Sequence, residues 1–179
     1  KNKRCTKIED WVEEERYSFF ACNDPAIDGD APGNPTLKSI DFAQGLTSGS
    51  VSYIMPTTTQ NGQAITEAIG YNVLVNDVEM SSGTASAGET VTVDLNLTNG
   101  YQSIKCYCTL NGKKSQEIIK ETYIGNDIPL APTNVKLGND GIRWDAVTQG
   151  INGGYINTSA ITYDVYVNDE KVGSSKYPI

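Results

Sequence analysis

The sequence contains no histidine among its 179 residues. Histidine is the side chain most often used for proton transfer near neutral pH, and it is the commonest metal ligand. Catalytic groupings built on histidine, such as Ser-His-Asp or Cys-His, are therefore excluded for this sequence. Paired carboxylates, a lysine nucleophile or an oxygen-ligand metal site stay open, but no recognised arrangement of such residues is evident. We predict a protein without catalytic activity, cofactor or metal.

Positive charge and long apolar segments are also scarce. The chain has 14 lysines and arginines against 22 aspartates and glutamates, a net charge of −8. Phosphate binding needs clustered basic residues, so we expect neither nucleic acid nor an anionic membrane as a partner. No apolar run approaches the roughly 18 residues that a membrane-spanning helix needs. No apolar segment follows the basic residues Lys1–Arg4 either, so we expect no signal peptide and no membrane insertion here.

What the sequence does have is a motif that occurs twice. Ala31-Pro32 recurs as Ala131-Pro132, an offset of 100 residues, and a short strand-like run follows each copy. Tyr71–Asp77 recurs as Tyr163–Asp169, an offset of 92 residues. A repeat of roughly 90–100 residues has the size of one β-sandwich module. The repeat therefore predicts two such modules in tandem.

Apolar residues alternate with polar ones through much of residues 31–127. Asn99-Gly100 and Asn111-Gly112 lie between such segments and predict tight hairpin turns, because both residue types tolerate positive φ. About seven short strands separated by turn signals indicate an antiparallel β-sandwich over this range. The residues predicted to face its core are Tyr53, Tyr71, Val73, Val93, Leu95 and Ile104.

A second unit is predicted over residues 128–179. Trp144 takes the place of Tyr53 in this unit. The sequence ends without a counterpart to residues 91–123, so we expect the second unit to be incomplete and the chain to be part of a longer protein. Between the units, the run from Asn126 to Pro132 contains two prolines and predicts a semi-rigid linker.

Residues 1–30 form a separate N-terminal segment. Thr6-Lys7-Ile8-Glu9 has the spacing of a capping box and predicts a short helix at about 7–15. Residues 17–21, rich in aromatic side chains, are alternatively the last strand of an upstream module. The two interpretations are compatible with each other.

The second unit resembles a known family of modules. The runs 131–137, 142–146 and 163–166 resemble the first strands of a fibronectin type III domain, in which a tryptophan of the second strand packs in the core. Trp144 takes that place. The loop 150–156 resembles the corresponding loop in tandem modules of large bacterial secreted or surface proteins.

This resemblance covers about residues 30–179, and the first unit departs from it by lacking the tryptophan. It implies an all-β, immunoglobulin-like antiparallel sandwich that serves as a structural or binding module and has no catalytic role. The implied location is extracellular or at the cell surface.

The four cysteines are candidate chemical sites. Cys106 and Cys108 share one face of a strand, where they are expected to be small core residues rather than a disulfide. The spacings do not match a four-cysteine zinc site. In a secreted protein, a disulfide between Cys5 and Cys22 could tie down the N-terminal segment, with two free thiols as the alternative.

Two further places offer polar groups to a ligand. Asp24, Asp28 and Asp30 lie in one linker, where a solvated acidic turn is favoured over a Ca²⁺ site. Asn152 and Tyr155 lie in a long loop and are candidates for holding a sugar by hydrogen bonds and ring stacking. The alternative for this loop is packing against the neighbouring module or the edge of a sheet.

The leading hypothesis is a non-enzymatic extracellular structural, spacer or adhesion module of a larger bacterial surface or secreted protein. The second is an accessory carbohydrate-binding module attached to a glycan-degrading enzyme. The expected partners are other modules of the same polypeptide, and beyond these a surface protein or a glycan.

Overall fold

The computed structural model describes the backbone of residues 4–12, 15–23 and 28–176, and the side chains of residues 28–176. All sheets within these ranges are antiparallel, and their regular structure is β-strand apart from one short 3-10 turn. The chain is all-β and immunoglobulin-like, as the sequence predicts.

The strands are, in chain order, β1 (Arg4–Val12), β2 (Glu15–Asn23), β3 (Thr36–Phe42), β4 (Ser48–Ile54), β5 (Ile69–Val75), β6 (Val78–Ala85), β7 (Thr90–Asn96), β8 (Gly100–Leu110), β9 (Lys113–Lys114), β10 (Ile118–Ile124), β11 (Lys136–Gly138), β12 (Gly141–Arg143), β13 (Tyr163–Val167) and β14 (Glu170–Ser175), with the 3-10 turn (Thr158–Ala160) before β13.

Strands β1 and β2 form a hairpin near the start of the chain. They pair antiparallel along nine residues each, with Ile8 opposite Phe19. The helix predicted at about 7–15 is therefore wrong. A helix of that length is marginal by itself, whereas pairing with β2 gives hydrogen-bond partners to alternate main-chain groups along the segment. The strand predicted over 17–21 agrees with β2, and its membership of an upstream module stays a prediction.

The first unit is a sandwich of two sheets. One sheet has the order β3-β4-β7, and the other has the order β10-β8-β5-β6 with β9 added to β8. The chain crosses between the sheets after β4, after β6 and after β7, as in the Greek-key connections of immunoglobulin-like sandwiches.

Alternating residues of the facing strands fill the space between these two sheets. Tyr53 lies opposite Val91 in the first sheet, and Val73 lies opposite Cys106 in the second. The predicted core residues Tyr53, Val73, Val93, Leu95 and Ile104 are buried, and Tyr71 packs against them while partly buried.

The turns only partly match the prediction. Asn111-Gly112 joins β8 to β9 with positive φ at both residues, as expected of a tight hairpin. The tight hairpin predicted at Asn99-Gly100 is wrong, because β7 and β8 belong to different sheets. Two turns that were not predicted lie at Asn76-Asp77 and Asn168-Asp169, each with positive φ at both residues.

Two small hairpins, β11–β12 and β13–β14, make up the second unit as far as it is described. Trp144 follows β12 and is 9% exposed, with its ring centroid 5.3 Å from that of Tyr163. The register of β13–β14 shifts between Val165 and Tyr166, as that of β5–β6 does at the equivalent place. Within residues 128–176 no strand corresponds to β7, β8 or β10, and the apolar face around Trp144 forms an open cleft.

Candidate functional site

The segment that enters the first unit is paired with the loop between β4 and β5. The main-chain N–H of Gly33 donates to the carbonyl of Thr58, with 2.9 Å between N and O. The N–H of Gln60 donates to the carbonyl of Ala31 at 2.9 Å. The loop is therefore attached to the module's own linker by a short two-stranded ladder.

The same ladder occurs in the second unit. The N–H of Leu130 donates to the carbonyl of Gln149 at 2.9 Å, and the N–H of Ile151 donates to the carbonyl of Ile128 at 2.8 Å. Equivalent residues lie 97 positions apart in the entering segments and 91 positions apart in the loops. Both units therefore have the same main-chain ladder between the entering segment and the loop.

These bonds correct the register of the repeat. The predicted offset of 100, which aligned Ala31-Pro32 with Ala131-Pro132, is wrong by three residues for the entering segments. At an offset of 97 both segments have the pattern Asp-x-Pro-x-x-Pro-Thr, beginning at Asp30 and Asp127. An Ala-Pro pair common to both copies gave the wrong alignment, because only hydrogen bonding shows which prolines are equivalent.

Asp127 is the centre of the joint between the two units. Its buried carboxylate accepts four hydrogen bonds. One oxygen accepts from the main-chain N–H groups of Asn152 and Gly154, at 2.8 and 2.9 Å. The other accepts from the side-chain amide of Asn152 at 2.8 Å and from the N–H of Ile128 at 2.7 Å. Burial alone would raise the pKa of Asp127. The four hydrogen bonds together lower it by more than burial raises it, so the pKa lies below its usual range.

A weaker copy of this arrangement is present in the first unit. The side-chain amide of Asn61 donates to the carboxylate of Asp30 at 3.4 Å. The residues after Asn61 and Asn152 are Gly62 and Gly153, which both have positive φ. Here the main-chain N–H of Asn61 bonds to the linker carbonyl of Gly29 instead of to the carboxylate.

The loop that Asp127 holds lies against the end of the first unit. The Tyr101 hydroxyl, at the start of β8, donates to the carbonyl of Asn152 at 3.0 Å. The Asn126 side chain donates to the carbonyl of Gly45 at 3.2 Å. A Cβ on Gly45 would stand 3.1 Å from the Tyr155 ring, so the loop and the β3–β4 turn are in close contact. The two units are therefore held together by specific non-covalent contacts as well as by the covalent linker.

The two residues predicted to bind a sugar, Asn152 and Tyr155, both belong to this joint. The Asn152 amide donates to Asp127, and the Tyr155 carbonyl accepts from the N–H of Asp127 at 2.7 Å. Their geometry agrees with the alternative of a loop packed on the neighbouring module. A role in ligand binding for Asn152 and Tyr155 stays a prediction.

One lysine pairs with both described carboxylates of the acidic linker. Lys113 lies 2.9 Å from Asp28 and 3.0 Å from Asp30, and its hydrogen bond lowers the pKa of Asp28. Asp24 lies outside the described residues. Across the residues whose side chains are described, no group of His, Cys, Asp or Glu has a geometry that could hold a metal ion.

Cys106 and Cys108 are buried and free. Burial, and for Cys106 the neighbouring Cys108, raises the pKa of each thiol to about 12. Such thiols are chemically inert core residues. Backbone pairing places Cys5 directly opposite Cys22, and the disulfide between them stays a prediction.

Asp127 is the residue that sequence reasoning did not identify. The sequence pattern indicates only that Asp127 belongs to a proline-containing linker. The available signal was its position two residues before a proline in both copies, together with the Asn-Gly pair that recurs in each loop at Asn61-Gly62 and Asn152-Gly153.

Comparisons with known proteins add little to this picture. No protein-family model and no curated protein matches the sequence. Among solved structures, the chain is similar to the PKD domain of an M14-like peptidase from Thermoplasmatales archaeon SCGC AB-540-F20. The TM-score is 0.43 at 15% sequence identity, and the similarity covers 55% of this chain and 100% of that one. In the described residues, no helix is long and apolar enough to cross a membrane.

Proposed function

We propose that this chain is a non-enzymatic structural module of an extracellular or cell-surface protein, in which fibronectin type III-like sandwiches are joined at fixed angles to act as a spacer. The observation that carries the proposal is the buried carboxylate of Asp127. It takes four hydrogen bonds within the linker and the adjoining loop.

A flexible tether would not need these contacts. A linker meant to let domains reorient is usually rich in Gly and Ser and makes few contacts. Here Pro129 and Pro132 restrict the backbone, and Asn126 bonds to Gly45 of the first unit. Transmission of a fixed orientation from one unit to the next is the simplest use of such a joint.

Small-angle X-ray scattering of the full chain tests this function. We expect an elongated particle whose profile fits one arrangement of the two units. An Asp127→Ala variant should need an ensemble of arrangements, whereas an Asp94→Asn control on the exposed face of β7 should scatter as the wild type does. A compact wild-type particle, or a broad ensemble, would contradict the spacer function.

Glycan-array binding separates this proposal from the carbohydrate-binding alternative. A spacer is expected to show no binding above background. Saturable binding that a Tyr155→Ala substitution removes would favour the accessory module instead. Aromatic side chains for such a role are scattered: Tyr166 is exposed on β13, whereas Tyr107 is partly buried and covered by Lys114, whose nitrogen lies 3.7 Å from the ring centroid.

A further inference from the structure

We infer that the loop tip of the first unit, residues 61–64, is a docking surface for the open end of the β1–β2 hairpin. The inference starts from the internal repeat. Residues 61–64 are equivalent to residues 152–155 at an offset of 91, and the repeat carries the same ladder and the same Asp–Asn pair.

In the second unit the equivalent tip is covered by the unit before it. Tyr101 donates to the carbonyl of Asn152, and the Tyr155 ring lies against Gly45. In the first unit, Asn61, Gly62, Gln63 and Ala64 are exposed among the residues whose side chains are described. The loop tip of the first unit thus has the same local structure as that of the second, but among the described residues it has no equivalent of the contacts with Tyr101 and Gly45.

The open end of the hairpin has the same kind of antiparallel pairing as the end of the first unit that faces the joint. In the first unit, β8 and β10 pair with Gly100 opposite Ile124 at the end of the hairpin, and Tyr101 opposite Tyr123 one step inward. The open end of β1–β2 has Arg4 opposite Asn23, with Cys5 opposite Cys22 one step inward. The open end of β1–β2 is therefore the strand end that leads into the linker of the first unit, as the end of β8 and β10 leads into the linker of the second.

The chain itself keeps this hairpin end near the tip. Five residue steps separate Asn23 from Asp28, which limits their separation to about 17 Å. Gly29 already lies against the tip. Its carbonyl accepts from the N–H of Asn61 at 2.9 Å, and a Cβ added to Gly29 would lie 3.4 Å from the Asn61 Cβ. A short tether of this kind gives a high effective concentration of one surface at the other.

Charge favours the same pairing. The chain leading into the hairpin's open end carries Lys1, Lys3 and Arg4. The tip surface is bordered by the carboxylates of Asp28 and Asp30, which outnumber the single lysine, Lys113, that binds them. The two sides of the proposed contact therefore carry opposite net charge in the sequence, which favours their association.

Site-specific photocrosslinking in the full chain tests this inference. A benzophenone amino acid replaces Ala64 in one variant, its equivalent Tyr155 in a positive control, and the exposed Val78 in a negative control. The label at position 155 should crosslink to the known contact around Gly45. We expect the label at position 64 to crosslink within residues 4–23, at a yield that does not change on dilution, and the label at 78 not to do so.

Two results would overturn the inference. One is a yield of crosslinks from position 64 to residues 4–23 no higher than that from position 78. The other is a concentration-dependent crosslink between two chains, which would show that the tip meets a second copy. Each variant's melting temperature is compared with the wild type, so that a misfolded variant is not counted. The result is independent of the scattering experiment, because docking of the hairpin does not require that the two units form a rigid spacer.

Discussion

The side-chain amide of Asn152 lies 2.8 Å from the carboxylate of Asp127, and this pair joins the loop of the second unit to the linker before it. The same residue types, Asn61 and Asp30, form a longer contact of 3.4 Å at the entrance of the first unit. The Asn–Asp contact is therefore repeated in both units, and the hydrogen bond is shorter in the second unit.

Acid should loosen the joint at a pH set by Asp127. Because the pKa of this carboxyl in the folded chain lies below the unfolded value of about 3.9, its stabilising effect is complete above that value. The effect is lost as the pH falls through the folded-state pKa. We expect the amide resonances of Asn152 and Gly154 to titrate together in NMR spectra, with a midpoint below about 3.9.

An Asp127→Asn variant is the control for this titration, since it removes the ionisable group at the same place. A midpoint at or above about 3.9 in the wild type, or an unchanged transition in the variant, would show that Asp127 does not set the acid sensitivity.

The main features of the fold could be predicted from the sequence, because alternation and turn signals are local. Val91, Val93 and Leu95 alternate with polar residues and are buried as expected. The turn at Asn99-Gly100 was misassigned because a local turn signal does not show whether the next strand returns to the same sheet. That choice depends on which sheet each apolar face must cover, a long-range property.

The joint could be predicted less well. In the immediate surroundings of Asp127 in the sequence, only the repeated proline pattern distinguishes it from a solvated aspartate. Its partners, Asn152 and Gly154, lie 25 and 27 residues further on and reach it only through the folded loop. The helix predicted at about 7–15 failed for a related reason, because the pairing of β1 with β2 outweighed a local capping signal.

The Tyr53 hydroxyl is predicted to destabilise the first unit slightly. Its oxygen is buried and has no hydrogen-bond partner among the described residues, and burial raises the pKa of Tyr53. Tyr53→Phe should therefore increase the free energy of unfolding by about 1 kcal/mol. Tyr53→Ala should decrease it by about 3–5 kcal/mol, because the ring fills the core. Chemical denaturation measures both, and a clear loss of stability in Tyr53→Phe would reveal a hydrogen bond that this account lacks.

Alanine substitutions at two glycines with positive φ distinguish the stability cost of backbone strain from the cost of disturbing contacts at the joint. Gly45 has φ +76° and faces Asn126 and Tyr155, whereas Gly112 in the β8–β9 turn has φ +78° and no atom within 4 Å of an added Cβ. Gly112→Ala should cost about 1 kcal/mol from backbone strain alone. Gly45→Ala should cost more and should also speed amide exchange in residues 152–155. Equal effects of the two substitutions on stability and exchange would argue against close packing of the loop on the β3–β4 turn.

The paired backbone positions of Cys5 and Cys22 predict one disulfide in the oxidised protein. Directly opposite residues of an antiparallel pair have Cα atoms about 4.5–5.5 Å apart, within disulfide reach. Peptide mapping without reduction should find Cys5 linked to Cys22, with Cys106 and Cys108 alkylated only after unfolding. Closing this loop should contribute about 3 kcal/mol to stability. Free Cys5 and Cys22 after oxidative folding would disprove the pairing.

The most direct test of the account is a distance distribution across the joint, measured by pulsed electron paramagnetic resonance. Spin labels are attached to cysteines introduced at Thr84 on β6 and Val172 on β14, with Cys5 and Cys22 replaced by serine. If Asp127 fixes the second unit on the first, the labelled chain gives one narrow distribution, and Asp127→Ala broadens it while the Asp94→Asn control does not. A broad distribution in the parent chain, or an equally narrow one in Asp127→Ala, would contradict the claim that this carboxylate holds the two units in a fixed arrangement.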